Sequence, residues 1–351
     1  MKRFIAKSVL FILPFFILHI ITSLFYTDSA NKDLLRIGLI PNIYKNYRDI
    51  FKRDNDEKYK YVKLSETKNK NFKIMTIGDS FSNKGADGYN NFLAEDFSVL
   101  HIDRFVSKNP IQTLINLSNG NFFDHYKIKF VILQNVERHL IDNIKDVEKN
   151  KKFTLNDIDS ILENREINMK TYRYDFFSRT TLKFPLYTMP KYFFSKNYLS
   201  NNAVYNYDLN NNSAFSNFSN KLLFYHVDLS NTEQNNNIEN CIQLNNILND
   251  ISLKLKKKNI QLIFLPSPDK YDMYYDMIIE NKKLPKPYFF NNFDSLKKNF
   301  IYIDTKSLLL EYIYEMTDLY FYDDTHWSPV ASKIIAEKIK EVINKHEKFQ
   351  K

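Results

Sequence analysis

A short apolar run, Lys73 to Ile77 (KIMTI), leads directly into Gly78-Asp79-Ser80-Phe81. A serine just past a strand, on a turn tight enough to need glycine, is projected at the C-terminal edge of a parallel sheet. The backbone N–H groups of such a turn, here those of Ser80 and Phe81, lie near the serine oxygen. That setting suits a nucleophile whose tetrahedral intermediate needs an oxyanion hole.

A serine hydroxyl attacks only when a base takes its proton, and that base must be oriented by a carboxylate. His326 offers this, because it follows the apolar run Leu319 to Tyr322 and is preceded closely by Asp323 and Asp324. Either acid is near enough to bond the ring nitrogen facing away from serine. His326 would be the general base, and later the acid that protonates the leaving oxygen. A Gly-Asp-Ser turn occurs without chemistry, and a histidine in Asp-Asp-Thr-His can be merely hydrogen-bonded; their occurrence together, each after a strand, favours catalysis. A metal site has no starting point: there is no HExxH, and the single cysteine, Cys241, excludes both a cysteine-based zinc site and an internal disulfide. No nucleotide-cofactor motif is present, so no cofactor is expected.

These residues need a sheet to hold them. Strands are expected at Lys73–Ile77, Val99–Ile102, Phe130–Leu133, Ile260–Leu265, Phe300–Ile303 and Leu319–Tyr322, with helical or turn-like sequence between. Cys241, Leu244, Leu248, Ile251 and Leu255 share one face of a helix. Ser328 and Pro329 suit an N-cap and first turn, and Ala331, Ile334, Ile335, Ile339 and Val342 line the helix that follows. Strands alternating with helices predict an α/β fold with a mostly parallel sheet covered on both faces. Its expected span is 72–345, with an insertion or cap at about 141–220 where Asn, Tyr, Phe and Lys replace any sustained periodicity.

Upstream, Val9 to Tyr26 carries no charge and would measure roughly 27 Å as a helix at about 1.5 Å per residue. With Phe4 to Lys7 it nearly spans a hydrocarbon core of about 30 Å. Residues 4–26 are therefore expected to be a transmembrane anchor and 27–71 a stalk, with Lys2 and Arg3 keeping the N-terminus cytoplasmic and the rest periplasmic or extracellular. A cleaved signal peptide would have a shorter apolar region and a small-x-small site, which Asp28-Ser29-Ala30 matches poorly. The formal charge of +9 comes from lysines scattered among Asn, Ile, Phe and Tyr, a pattern that biased coding composition explains without a nucleic-acid partner. A hydrophobic content of 44% excludes global disorder.

Ile77-Gly78-Asp79-Ser80-Phe81 and Asp324-Thr325-His326-Trp327-Ser328-Pro329 together resemble the nucleophile and histidine blocks of SGNH hydrolase-like proteins, in the alginate O-acetyltransferase-like branch. Phe130 to Leu140 (FVILQNVERHL) and Leu265 to Tyr271 (LPSPDKY) are similar to two further segments of that group. The resemblance implies that Arg138 and Lys270 line the site, that Asn135 supplies an oxyanion donor and that Asp324 rather than Asp323 is the acid. The usual Gly-x-Asn-Asp block is absent, with Gln134-Asn135 in its place, and the histidine block follows the serine as in SGNH esterases. The implied chemistry is transfer of an acyl group, normally acetyl, to polysaccharide hydroxyls, with the acyl group supplied by a multi-pass membrane acyltransferase. A carbohydrate acetylesterase is the runner-up. A non-catalytic envelope protein that binds carbohydrate or assists assembly is the third reading.

Overall fold

The computed structural model describes residues 1–25, 33–34, 60–102, 106, 109–169, 203–216 and 220–349. Its centre is a six-stranded sheet of β1 (Val62–Lys63), β2 (Ile74–Ile77), β3 (Val99–Ile102), β4 (Phe130–Val136), β7 (Gln261–Ser267) and β8 (Ile301–Tyr302), ordered β1-β3-β2-β4-β7-β8. Every neighbouring pair in it is parallel. The chain leaves β2 to one side and returns to the other at β4, a reversal of strand order that opens a crevice beyond the strands' carboxyl ends.

Successive side chains of a strand point to opposite faces, and the core follows that period. Ile74, Phe130, Ile132, Ile263 and Leu265 join one apolar cluster, which includes Ala331, Ile335, Ile339 and Ile343 of the helix Pro329–Phe349. Met75, Ile77, Val131, Leu133, Leu262 and Phe264 join the other, with Cys241, Leu244, Leu248 and Ile251 of the helix Ile238–Lys256. Cys241 is thus buried filler, and burial pushes its thiol pKa up to about 11. Each large apolar side chain taken fully out of water contributes about 1.5–3 kcal/mol. Coverage on both faces explains why these strands read as continuous apolar runs.

Three expectations need correction. The sheet begins before residue 72: β1 lies inside the expected stalk, paired through Val62 to Leu100 and Lys63 to His101, with Tyr61 and Leu64 buried beside it. Leu319–Tyr322 is not a strand. It is apolar because Leu319, Tyr320 and Tyr322 are buried in a loop, closed by Phe321 N–H donating to the His326 carbonyl and Ser328 N–H donating to the Leu319 carbonyl. Finally, β7 runs past the expected end at Leu265, through Pro266, to Ser267 opposite Val136. On its other side β8 reaches only Phe264, so no neighbour requires an N–H from Pro266.

Part of 141–220 has regular structure: the end of the helix Glu137–Lys145, the helix Leu155–Met169, and β5 (Val204–Asp208), which pairs antiparallel with β6 (Lys221–Tyr225). Residues 170–202 and 217–219 of that stretch, and 26–32 and 35–59 of the expected stalk, lie outside the described residues. The N-terminal helix Lys2–Phe25 is long and apolar enough to cross a membrane, and Phe4, Leu10, Phe11 and Phe15 on its surface are exposed.

Candidate active site

β2 ends at Ile77, and the turn after it has no room for a side chain at the first position. A Cβ on Gly78 would stand 2.1 Å from Ser82 Oγ and 2.5 Å from Gln134 Oε1. Close approach, not a left-handed backbone, therefore demands this glycine, since among the described glycines it is Gly85 that has a positive φ. Asp79 ties the turn to β4: its Oδ1 accepts from Phe81 N–H at 2.9 Å and its Oδ2 from Val136 N–H at 2.6 Å. Gln134 completes the tie, accepting from Asp79 N–H at 3.1 Å and Ser82 Oγ at 2.8 Å while donating to Ser267 Oγ at 2.8 Å.

Ser80 is carried at the open edge of this arrangement, and its Oγ lies 2.7 Å from His326 Nε2. On the far side of the ring, Nδ1 is 2.5 Å from Asp324 Oδ1, which also accepts from the His326 backbone N–H at 3.2 Å. The structure thus brings Ser80, His326 and Asp324 into one line across 246 residues of sequence. The backbone carbonyl of Asp323 accepts from Leu34 N–H at 3.1 Å, and it is Asp324 whose carboxylate meets the ring. Burial holds the His326 pKa below the usual imidazole value, Lys84 lowers it further, and Asp324 and Asp33 oppose both. With the neutral ring, these bonds assign Nδ1–H to Asp324 and leave Nε2 to accept from the Ser80 hydroxyl.

Beneath the line lies a layer of buried charge. Arg138 Nη1 donates to Asp228 at 3.0 Å and Asp269 at 2.9 Å, Nη2 reaches Thr325 Oγ1 at 3.4 Å, and the guanidinium lies 5.7 Å from the centre of the Phe81 ring. Burial opposes its charge, but Asp228 and Asp269 hold the Arg138 pKa above its ordinary value. Lys270 Nζ donates to the carbonyls of Phe321 and Tyr322, each at 2.7 Å, and to that of Asp324 at 3.4 Å. It is fully buried, and burial pushes its pKa down to about 7 against the attraction of Asp323 and Asp324. Both residues therefore lie under the histidine loop and hold it, rather than presenting open charge.

Two expected oxyanion donors are engaged elsewhere. Asn135 Nδ2 donates to the Val136 carbonyl and its Oδ1 accepts from Asn143, so its amide serves its own strand end. Phe81 N–H is taken by Asp79. Among the described residues the backbone N–H of Ser80 has no hydrogen-bond partner. The Phe81 ring packs 4.6 Å from the His326 ring and edge-on to Trp327 at 5.0 Å, which gives the buried tryptophan a packing role.

Sequence reasoning missed the tying role of Asp79 and Gln134, the pairing of Arg138 with Asp228 and Asp269, and the approach of Asp33. Asp269 stands two residues past the end of β7, as Asp79 stands two past β2, and that shared strand-end position is the signal that finds both. Asp33, Asp324 and His326 bring possible ligand atoms within 4.8 Å of one another. A cation there would take the Nδ1 that now faces Asp324, so a metal-bound state and the serine–histidine–aspartate line exclude each other.

Residues 220–351 match the family described as the SGNH hydrolase-like domain of acetyltransferase AlgX. This is the resemblance read from the sequence, and the mostly parallel sheet with flanking helices is the SGNH-like architecture. The matched segment holds Lys270, Asp324 and His326 and does not extend to Ser80, Asn135 or Arg138. No curated protein and no solved structure matches the chain.

Proposed function

From a match to an acetyltransferase family that covers the histidine loop, we propose that this chain transfers O-acetyl groups to hydroxyls of a cell-envelope or secreted polysaccharide. The observation that carries the reading is the continuous bond line Ser80 Oγ, His326 Nε2, His326 Nδ1, Asp324 Oδ1, at 2.7 Å and 2.5 Å. It supports Ser80 as nucleophile, His326 as base and acid, and Asp324 as the group that fixes the ring.

In the first half-reaction His326 Nε2 takes the hydroxyl proton as Ser80 Oγ bonds the acyl carbon of a donor ester. The negative oxygen that forms accepts from the Ser80 N–H, which has no partner among the described residues. When the intermediate collapses, His326 returns the proton to the departing alcohol, leaving an acyl ester on Ser80. A sugar hydroxyl then gives its proton to Nε2 and attacks that ester, and Ser80 departs with the proton restored. Water in the sugar's place makes the same site an esterase.

An apolar helix that precedes the domain, with Lys2 and Arg3 at its start, supports a single-pass anchor in the cytoplasmic membrane with the domain outside it. A multi-pass membrane acyltransferase is the acyl source this arrangement favours. The test is full-length protein in detergent with para-nitrophenyl acetate and a mixture of envelope oligosaccharides, read by mass. Acetylated oligosaccharide, absent in Ser80→Ala, is the expected result. Free acetate alone would replace transfer by hydrolysis, and neither product from folded protein would leave the non-catalytic reading.

A further inference from the structure

The residues around His326 include one from the other end of the chain. Asp33 Oδ2 accepts from Thr325 Oγ1 at 2.9 Å and lies 3.4 Å from His326 Nδ1, on the side of the ring that Asp324 also occupies. Its neighbour Leu34 is buried in the core, and Leu34 N–H donates to the Asp323 carbonyl at 3.1 Å. The short segment is thus fastened twice to the histidine loop, once by backbone and once by side chain. Thr325 links this carboxylate to the layer below, because its hydroxyl also accepts from Arg138 Nη2 at 3.4 Å.

We propose that Asp33 is a positioning residue of the Ser80–His326–Asp324 site, which brings a residue from the N-terminal side of the sheet into the site itself. The inference rests on the proposed role of His326 as base. An imidazolium forms when that ring takes the serine proton, and a second carboxylate beside Nδ1 stabilises it. The charged groups that face the ring are Asp324, Asp33 and Lys84, with Ser80 at Nε2; the two acids raise its basicity and the lysine lowers it. Asp33 is half exposed, with 54% of its side-chain surface open, so its contribution is screened and smaller than that of Asp324 at 10%.

A geometric consequence follows from chain length. Phe25 ends the apolar helix and Asp33 is eight residue steps further on. At about 3.5 Å per extended residue, their Cα atoms are at most about 28 Å apart. A site built partly from Asp33 is therefore held near the end of that helix and near any acyl source in the same membrane.

The experiment uses the full chain in detergent micelles with isotope-labelled histidine, and follows the ionisation of His326 by NMR in wild type, Asp33→Asn and Asp33→Glu. Removing the charge should lower the His326 pKa by about half a unit, and Asp33→Glu should restore most of it. With para-nitrophenyl acetate, Asp33→Asn should lose about three- to tenfold in kcat with little change in KM, and the acid limb of its pH profile should move to lower pH. The inference is overturned if His326 titrates at the same pH in Asp33→Asn and wild type while near-UV circular dichroism shows both folded. The titration needs no turnover, so an inactive wild type would remove the acyl-transfer reading and leave this test intact.

Discussion

The Ser80–His326–Asp324 line and the ionic layer beneath it are made of similar groups but differ in how fully those groups are paired. In the line, Ser80 is partly open to solvent and its hydroxyl makes one bond among the described residues, to His326, which the proposed reaction would break and reform. In the layer, Arg138 is shared by two carboxylates and Lys270 by three carbonyls, with all four charged side chains buried. The paired layer converts costly burial into position: Lys270 holds the carbonyls of Phe321, Tyr322 and Asp324, and Arg138 touches both Thr325 and the Phe81 ring. A further pair below, Lys306 with Asp272, lies beside Glu137, whose carboxyl burial and the nearby Asp272 and Asp269 push well above the usual range.

If that contrast is right, substitutions in the line should abolish turnover while leaving the fold, and substitutions in the layer should do the reverse. Ser80→Ala is expected to show the largest effect, a loss on the order of 10⁴-fold or more in kcat for acetyl-ester cleavage, with an unchanged urea midpoint. Asp324→Asn should follow, at about 10³- to 10⁴-fold, because an amide at that place favours the wrong ring tautomer; the same assay measures it. Arg138→Ala should act on stability, at about 3–5 kcal/mol in urea unfolding, since it leaves Asp228 and Asp269 buried without their partner.

Lys270→Met sharpens the comparison further, with an expected cost of about 1–3 kcal/mol for carbonyls left unpaired. Its pH dependence has a definite sign. The folded-state pKa of about 7 lies below the ordinary lysine value of about 10.4, so between them the unfolded chain binds more protons than the folded one. Lys270 therefore makes wild-type stability rise with pH through that window. Urea titrations at several pH values should show the rise reduced in Lys270→Met.

The features legible in the sequence were those that local pattern controls. The apolar period revealed the strands around Ile74, Val99, Phe130 and Leu262, and a serine and a histidine at loop positions next to apolar runs marked the groups that meet in space. Leu319–Tyr322 misled because a loop buried on a core carries the same apolar run as a strand, and what distinguishes it is that its pairing stops at one antiparallel bridge, Tyr320 with Trp327, outside the sheet. The short β1 carries too few residues to show a period. Arg138 finds Asp228 and Asp269 at separations of 90 and 131 residues, and Thr325 finds Asp33 at 292. No local rule encodes such pairings. Asn135 misled for the opposite reason: its residue type suits an oxyanion donor, but its amide is taken by Val136 and Asn143 close by.

The central claim is that Ser80 carries the acyl group, and mass analysis of peptides after brief acid-quenched reaction with para-nitrophenyl acetate tests it most directly. The account predicts one acetyl group on the peptide containing Ser80 in wild type and none there in Ser80→Ala. Turnover without acetyl on that peptide, or equal turnover in Ser80→Ala, would contradict it.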